Sequence, residues 1–336
     1  MCMQEERIDT HLHLPLPGTS WVPMAHRGNV RDFVGDDMVR TDISERLHSA
    51  GLPVHPGWIA PLEIALKNNS DSPNKFVAIT VDVPDDPHPS NEMIRKLVEV
   101  YPEHVIGSIS VHPKTVNAPN VLAKEFIALS RLYSRLRLNW RPVLKLHPID
   151  QKFDISSVSM EFWNMVAEFT AITAIHTGPR QLIQDPRDII ATDPALIKPI
   201  AILKTMIDFI LVHMGTPDSR ISKFYEERGR DYNPFLEALH MIMEMSNVYG
   251  DMAGLNWVSP GGGNGYTGKD SKGKDMGKNS DWAFETLRTR SERDPIIKDK
   301  LVFGSDFPLT GPKELKLQRK LLGFDPSKTS RKLLSR

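Results

Sequence analysis

The chain has 336 residues, 40% hydrophobic and 25% charged, ordinary globular proportions that are too long for one small core and short for three domains. Its 42 Lys and Arg balance 42 Asp and Glu, so no net field draws it to nucleic acid or to an anionic membrane. The single cysteine, Cys2, excludes a disulfide framework and fits a reducing compartment. The start, MCMQEERIDTHLHL, is polar and offers no signal-peptide run. The most apolar stretch, 195–214, is broken by Lys198, Lys204 and Asp208, so it falls short of the roughly 20 apolar residues of a membrane span. A cytoplasmic protein is expected.

Along the chain, short apolar runs alternate with amphipathic stretches. Strands are expected over 7–12, 76–83, 105–111, 143–147, 171–176, 209–213, 248–253 and 301–304. Their interiors are rich in Val, Ile and Leu without polar alternation, which suits strands covered on both faces. Helices are expected over 91–101, 121–136, 160–169, 194–205, 234–245, 282–290 and 313–322. The second of these spaces Leu122, Phe126, Leu129 and Leu132 at helical intervals. Strands alternating with helices imply a parallel α/β fold, and eight is the barrel number. The expectation is one domain over 1–336, a single (β/α)8 TIM barrel with long βα loops on the catalytic face. An open doubly wound sheet is the alternative, but the glycine-rich turn after its first strand is missing. Two segments read as loops: 14–60, rich in Pro and Gly, and the Gly- and Lys-rich 259–281.

The first chemical signal is Asp9-Thr-His11-Leu-His13. Strand side chains alternate, so His11 and His13 share a face, and two imidazoles at a barrel mouth make half of a zinc site. Ligand-type residues recur at the polar ends of the later apolar strands: His112 in ISVHP, His147 in LKLHP, His176 in TAIHTG, His213 in ILVHMG and Asp306 in VFGSDFP. One such histidine would more often be a satisfied core residue than a ligand. Several at converging strand ends point to a metal centre.

This ordered set resembles the amidohydrolase superfamily. RIDTHLHLP, VLKLHPI, AIHTG, ILVHMG, NVYGDMAG and VFGSDFP resemble its amidohydrolase-2 branch, which holds metal-dependent hydrolases and aminocarboxymuconate-semialdehyde decarboxylase. The likeness runs from about Arg7 to about Leu322. It implies that His11, His13, His176 and Asp306 hold metal, that Asp306 also handles protons, and that His213 either steers the bound water or ligates a second metal. One Zn²⁺ is the expected cofactor, with a second ion or another divalent metal such as Mn²⁺ or Fe²⁺ left open by the ligand types. Lys145 is read as a carboxylated bridge, a substrate anchor or a structural ion-pair partner. Arg180, His147 and His112 are candidate substrate contacts, Asp9 a carboxylate for a ligand N–H, and Trp21, His26 and Arg27 candidate pocket residues. Two departures from the family are the tail FDPSKTSRKLLSR, without the usual Asn-Ala, and the Gly/Lys insertion.

The expected activity is opening of a small-molecule amide, lactone or ester by metal-activated water. A metal-dependent decarboxylase of a small unsaturated or aromatic acid uses the same residues and is the first alternative. A TatD-like DNase is the second, disfavoured by Lys145 where that type offers a glutamate. A barrel that binds a ligand without turnover is the third. The expected partner is a small-molecule substrate, with no nucleic acid and no membrane.

Overall fold

The computed structural model describes residues 6–14, 16, 37–83, 88–178, 190–215, 224–253, 279–306 and 314–335. Eight strands follow in chain order: β1 (Ile8–His13), β2 (Lys75–Ile79), β3 (Val105–Ile109), β4 (Val143–Leu146), β5 (Ile172–His176), β6 (Asp208–Val212), β7 (Val248–Asp251) and β8 (Leu301–Val302). They pair in parallel in sequence order as one sheet. Across the seam, Thr10 N–H donates to Phe303 O (2.8 Å) and Asp306 N–H to His11 O (2.9 Å). These bonds bring the last strand back to the first, so the architecture is the (β/α)8 barrel.

The helices are α1 (Asp37–Ser49), α2 (Pro56–Lys67), α3 (Asn91–Val100), α4 (Ala118–Leu136), α5 (Met160–Glu168), α6 (Lys198–Leu203), α7 (Pro234–Glu244), α8 (Asn279–Arg293), α9 (Glu314–Leu322) and α10 (Pro326–Leu334). Several begin on the expected chemistry. Ser90 caps α3 at Met93 N, Ser159 caps α5 at Phe162 N, and Asn233 caps α7 with Pro234 in its first turn. The apolar stripe of α4, Leu122, Phe126, Leu129 and Leu132, is buried. Among the described residues, no helix is long and apolar enough to cross a membrane.

Three expectations change. The 14–60 loop contains α1 and the start of α2. Among the described side chains of the first helix only Ile43 and Leu47 are buried, too narrow a stripe to read as a period, and α2 carries Pro61 in its interior. The helix expected over 194–205 splits into a 3-10 turn, Pro194–Leu196, and α6, because Pro199 fits only the first turn of a new helix. The tail forms α10, capped by Asp325 at Ser327 N with Pro326 in its first turn.

The strands separate two cores. Outward side chains pack on the helices, among them Phe76, Leu144, Ile175, Phe209 and Leu211. Inward ones fill the barrel, including Ile8, Val77, Ile106, Val143, Ile172, Ala174, Ile210 and Val302. Leu333 and Leu334 of α10 join this inner cluster, and Leu334 O accepts from Arg141 N (3.0 Å). Arg141 stands just before β4, so α10 plugs the N-terminal mouth. The same inward face carries Lys145 and His176 toward the opposite mouth.

Candidate metal centre

The strand ends converge on a buried cluster. His11 Nε2 lies 2.9 Å from His13 Nε2, and Asp306 Oδ1 stands 3.6 and 3.7 Å from those two atoms. Ligands about 2.1 Å from one tetrahedral ion sit roughly 3.4 Å apart, so this triad fits a shared cation. The His213 ring is 5.1 Å from that of His11 and 4.7 Å from that of His176. His11, His213 and Asp306 each bring one ligand-type atom within 4.8 Å of the others'. His176 neighbours His213, and its buried Nε2 has no hydrogen-bond partner. The donor set is imidazole and carboxylate, suited to a divalent transition ion.

Backbone geometry aims these groups. β1 carries an extra residue between Asp9 and Leu12 relative to β2, a bulge of the kind that redirects side chains near active sites. The chain leaving β6 is left-handed at three successive residues, His213 (φ 65°), Met214 (φ 45°) and Gly215 (φ 71°). A Cβ at Gly215 would meet the Pro234 carbonyl oxygen at 2.6 Å, so the turn requires glycine there. Thr177 Oγ1 holds it, accepting from Gly215 N (3.0 Å) and donating to Val212 O (2.6 Å). Asp306 is also left-handed (φ 58°). Such conformations persist only where surrounding contacts enforce them.

The remaining candidates take other places. Lys145 is fully buried with Nζ 3.3 Å from His11 Nε2. Burial lowers its amine to about 8, while the nearby Asp251 and Asp306 carboxylates pull it upward. His147 stacks on His176 with ring centres 3.9 Å apart, and its Nε2 is 3.3 Å from Asp150 Oδ2. His112 uses both ring nitrogens on backbone: Nδ1 accepts from Lys114 N (3.0 Å) and Nε2 reaches Gln151 O (2.5 Å). Arg180, Trp21, His26, Arg27 and residues 259–278 lie outside the described residues. Asp9 Oδ1 accepts from the backbone of His11 and of Ser305, both at 3.0 Å. It therefore ties β1 to the β8 exit, where the sequence suggested a ring N–H. The bulge breaks the alternation on which that reading stood.

Sequence reasoning missed Asp251, at the end of β7. It is fully buried, with Oδ2 3.0 Å from His11 Nδ1. The signal was present, since Asp251 ends an apolar strand as His176 and His213 do. His88, with its ring 6.2 Å from that of His13, lies well past the end of β2, in the connection to α3, and gave none.

Burial also sets the protonation states. It holds His11, His13 and His176 well below the usual 6.5 and His213 down to about 4. It raises Asp9 to about 7 and Asp251 to about 6. Below pH 6.5 the unfolded chain takes up protons that the four native imidazoles refuse, so acid destabilises the fold by up to about 1.4 kcal/mol per pH unit for each. The two carboxylates act oppositely, because the native state protonates them first. Four histidines outweigh two carboxylates. The urea midpoint of metal-free protein is therefore expected to fall between pH 6.5 and 4, and a flat or rising midpoint would show that the cluster is not held neutral.

An amidohydrolase family model matches residues 130–335, more than half of the sequence and all of β4 to β8. The chain belongs to the amidohydrolase-2 family. It is thus an enzyme of that family, on the barrel the fold already showed. Among solved structures, an uncharacterized TIM-barrel protein of Bordetella bronchiseptica is similar at 15% identity and TM-score 0.52, covering 98% of this amidohydrolase and 95% of that chain. The 5-carboxyvanillate decarboxylase LigW of Sphingomonas paucimobilis aligns at 13% identity and TM-score 0.49, covering 98% of each chain. A candidate 2-pyrone-4,6-dicarboxylic acid hydrolase of Pseudomonas putida aligns at 15% and 0.48, covering 98% of this chain and 94% of that one. The first of these likenesses speaks for the fold alone. Curated protein sequences give no match.

Proposed function

We propose that this amidohydrolase is a Zn²⁺-dependent hydrolase that opens a small-molecule amide, lactone or ester. One observation carries the reading: two neutral imidazole Nε2 atoms and the Asp306 carboxylate converge within 2.9–3.7 Å in a buried mouth whose surroundings keep the imidazoles unprotonated. His11, His13 and Asp306 would hold the ion. His176 would complete the set through its unpartnered Nε2. Bound there, Zn²⁺ supplies Lewis-acid polarisation and acidifies water to a pKa of about 7.

The chain's own residues do the rest. Asp306 keeps one oxygen toward the imidazoles and can take the water's proton on the other, then return it to the leaving group. His213 donates Nδ1–H to Ala253 O (2.6 Å), so its Nε2 is an acceptor aimed into the mouth. It can hold the attacking water. Burial of Lys145 and the histidines excludes bulk solvent and strengthens each of these interactions.

Metal content by elemental analysis tests the centre, with about one Zn²⁺ per chain expected. A substrate screen that follows ring or amide opening beside carbon dioxide release tests the reaction. Carbon dioxide without hydrolysis would replace the hydrolase by a decarboxylase on the same residues. Lys145→Ala is expected to leave about one metal per chain, since Lys145 is not needed to complete the set. Two metals in the wild type, falling in that variant, would instead make Lys145 a carboxylated bridge.

A further inference from the structure

Both ends of one short turn reach a histidine of the centre. Asp251 closes β7, and its Oδ2 lies 3.0 Å from His11 Nδ1, at hydrogen-bond distance though poorly aligned for one. Its other oxygen, Oδ1, accepts from Ala253 N (2.8 Å). Ala253 O in turn lies 2.6 Å from His213 Nδ1. A carbonyl oxygen only accepts, so His213 carries its proton on Nδ1.

The far side of the His11 ring agrees. Lys145 Nζ stands 3.3 Å from His11 Nε2. An ammonium only donates, so that Nε2 accepts from it; His13 Nε2, 2.9 Å away, is then a second donor to the same atom, and the His11 ring proton sits on Nδ1, facing Asp251. The carboxylate itself has little room to turn away. A Cβ at Gly304 would overlap the Asp251 carboxylate, which packs against bare backbone there.

We infer that the turn from Asp251 to Ala253 is a positioning device that fixes His11 and His213 together as Nδ1–H tautomers, leaving both Nε2 atoms as acceptors facing the centre. Its use for metal rests on the reading of the site as a Zn²⁺ centre. A carboxylate behind a ligand imidazole fixes the ring and raises its basicity, and its loss weakens metal binding 10- to 100-fold. Here one turn would serve a ligand through a side chain and a water-holding residue through a carbonyl.

The test reads tautomers before it reads metal. In metal-free protein with 15N-labelled histidine, long-range 1H–15N spectra should show His11 and His213 protonated on Nδ1. His11 or His213 protonated on Nε2 in the wild type would overturn the inference outright, whatever any variant does. Asp251→Asn keeps the shape and the acceptor for Ala253 N but turns a donor toward His11. It is expected to flip His11 to the Nε2–H form and leave His213 unchanged. Zn²⁺ affinity, measured by chelator competition, should fall 10- to 100-fold with the far-UV spectrum preserved. An unchanged His11 tautomer in this variant would overturn the inference. So would Zn²⁺ held as tightly as in the wild type. Failure of the metal reading looks different: the wild type would bind no Zn²⁺ while its tautomers stood as stated.

Discussion

His213→Ala is expected to keep most of the bound metal while losing on the order of 10²-fold or more in turnover, the usual size of a lost acid–base group. His176→Ala is expected instead to lose metal and activity together. The contrast follows from how each ring is held. His213 is tied by Nδ1 to the Ala253 carbonyl at 2.6 Å and stands on a left-handed turn. Its position is set by backbone, so its removal leaves the other ligands where they are. His176 ends β5 with Nε2 unpartnered in a buried site, the state of an atom awaiting a ligand bond. His213 also stands within ligand reach of His11 and Asp306. Measuring metal and turnover on the same preparations therefore decides its role. Loss of metal in His213→Ala makes it a ligand and favours two ions. Loss of neither makes it structural, and the proposed handling of water fails.

Most strands were legible because they are apolar runs cut off by a polar residue, and at β5 that same residue is the candidate ligand. Ile172 to Ile175 reads as core, and His176 then ends the run. The ligand positions and the strand ends were one signal. What stayed hidden had no such coincidence. α1 buries Ile43 and Leu47 and little else, so it shows no stripe. The β1 bulge depends on pairing with β2, which no local pattern encodes. Asp251 obeyed the strand-end rule but lay inside a phrase read for its family likeness. The relation between its carboxylate and His11 joins residues 240 apart in number and exists only once the barrel closes.

Arg141→Met is expected to destabilise the protein by about 3–5 kcal/mol, the usual result of removing one partner of a buried ion pair. Arg141 and Asp208 sit at the starts of β4 and β6, at the mouth opposite the metal centre, with side chains only 7% and 8% exposed. The guanidinium meets Asp208 Oδ2 and also donates from Nε and Nη2 to Thr170 O (3.1 and 2.9 Å) and from Nη1 to Leu333 O (3.3 Å). One side chain thus joins two strands, the α5–β5 connection and the plug helix α10. Methionine keeps the apolar stem but offers none of these donors, so the buried Asp208 carboxylate loses its guanidinium and the Thr170 and Leu333 carbonyls each lose a donor. The expected cost divides between the carboxylate that loses its guanidinium and the lost contacts to the two carbonyls. The double variant Arg141→Met with Asp208→Leu separates the two. If the carboxylate's share dominates, the double variant recovers a large part of the loss in urea midpoint at unchanged slope. A double variant as unstable as the single one would place the cost in the contacts to Thr170 and Leu333, and so in the seating of α10. Metal content should stay near the wild-type value in whatever fraction remains folded, because the ion pair and the ligand cluster lie at opposite ends of the barrel.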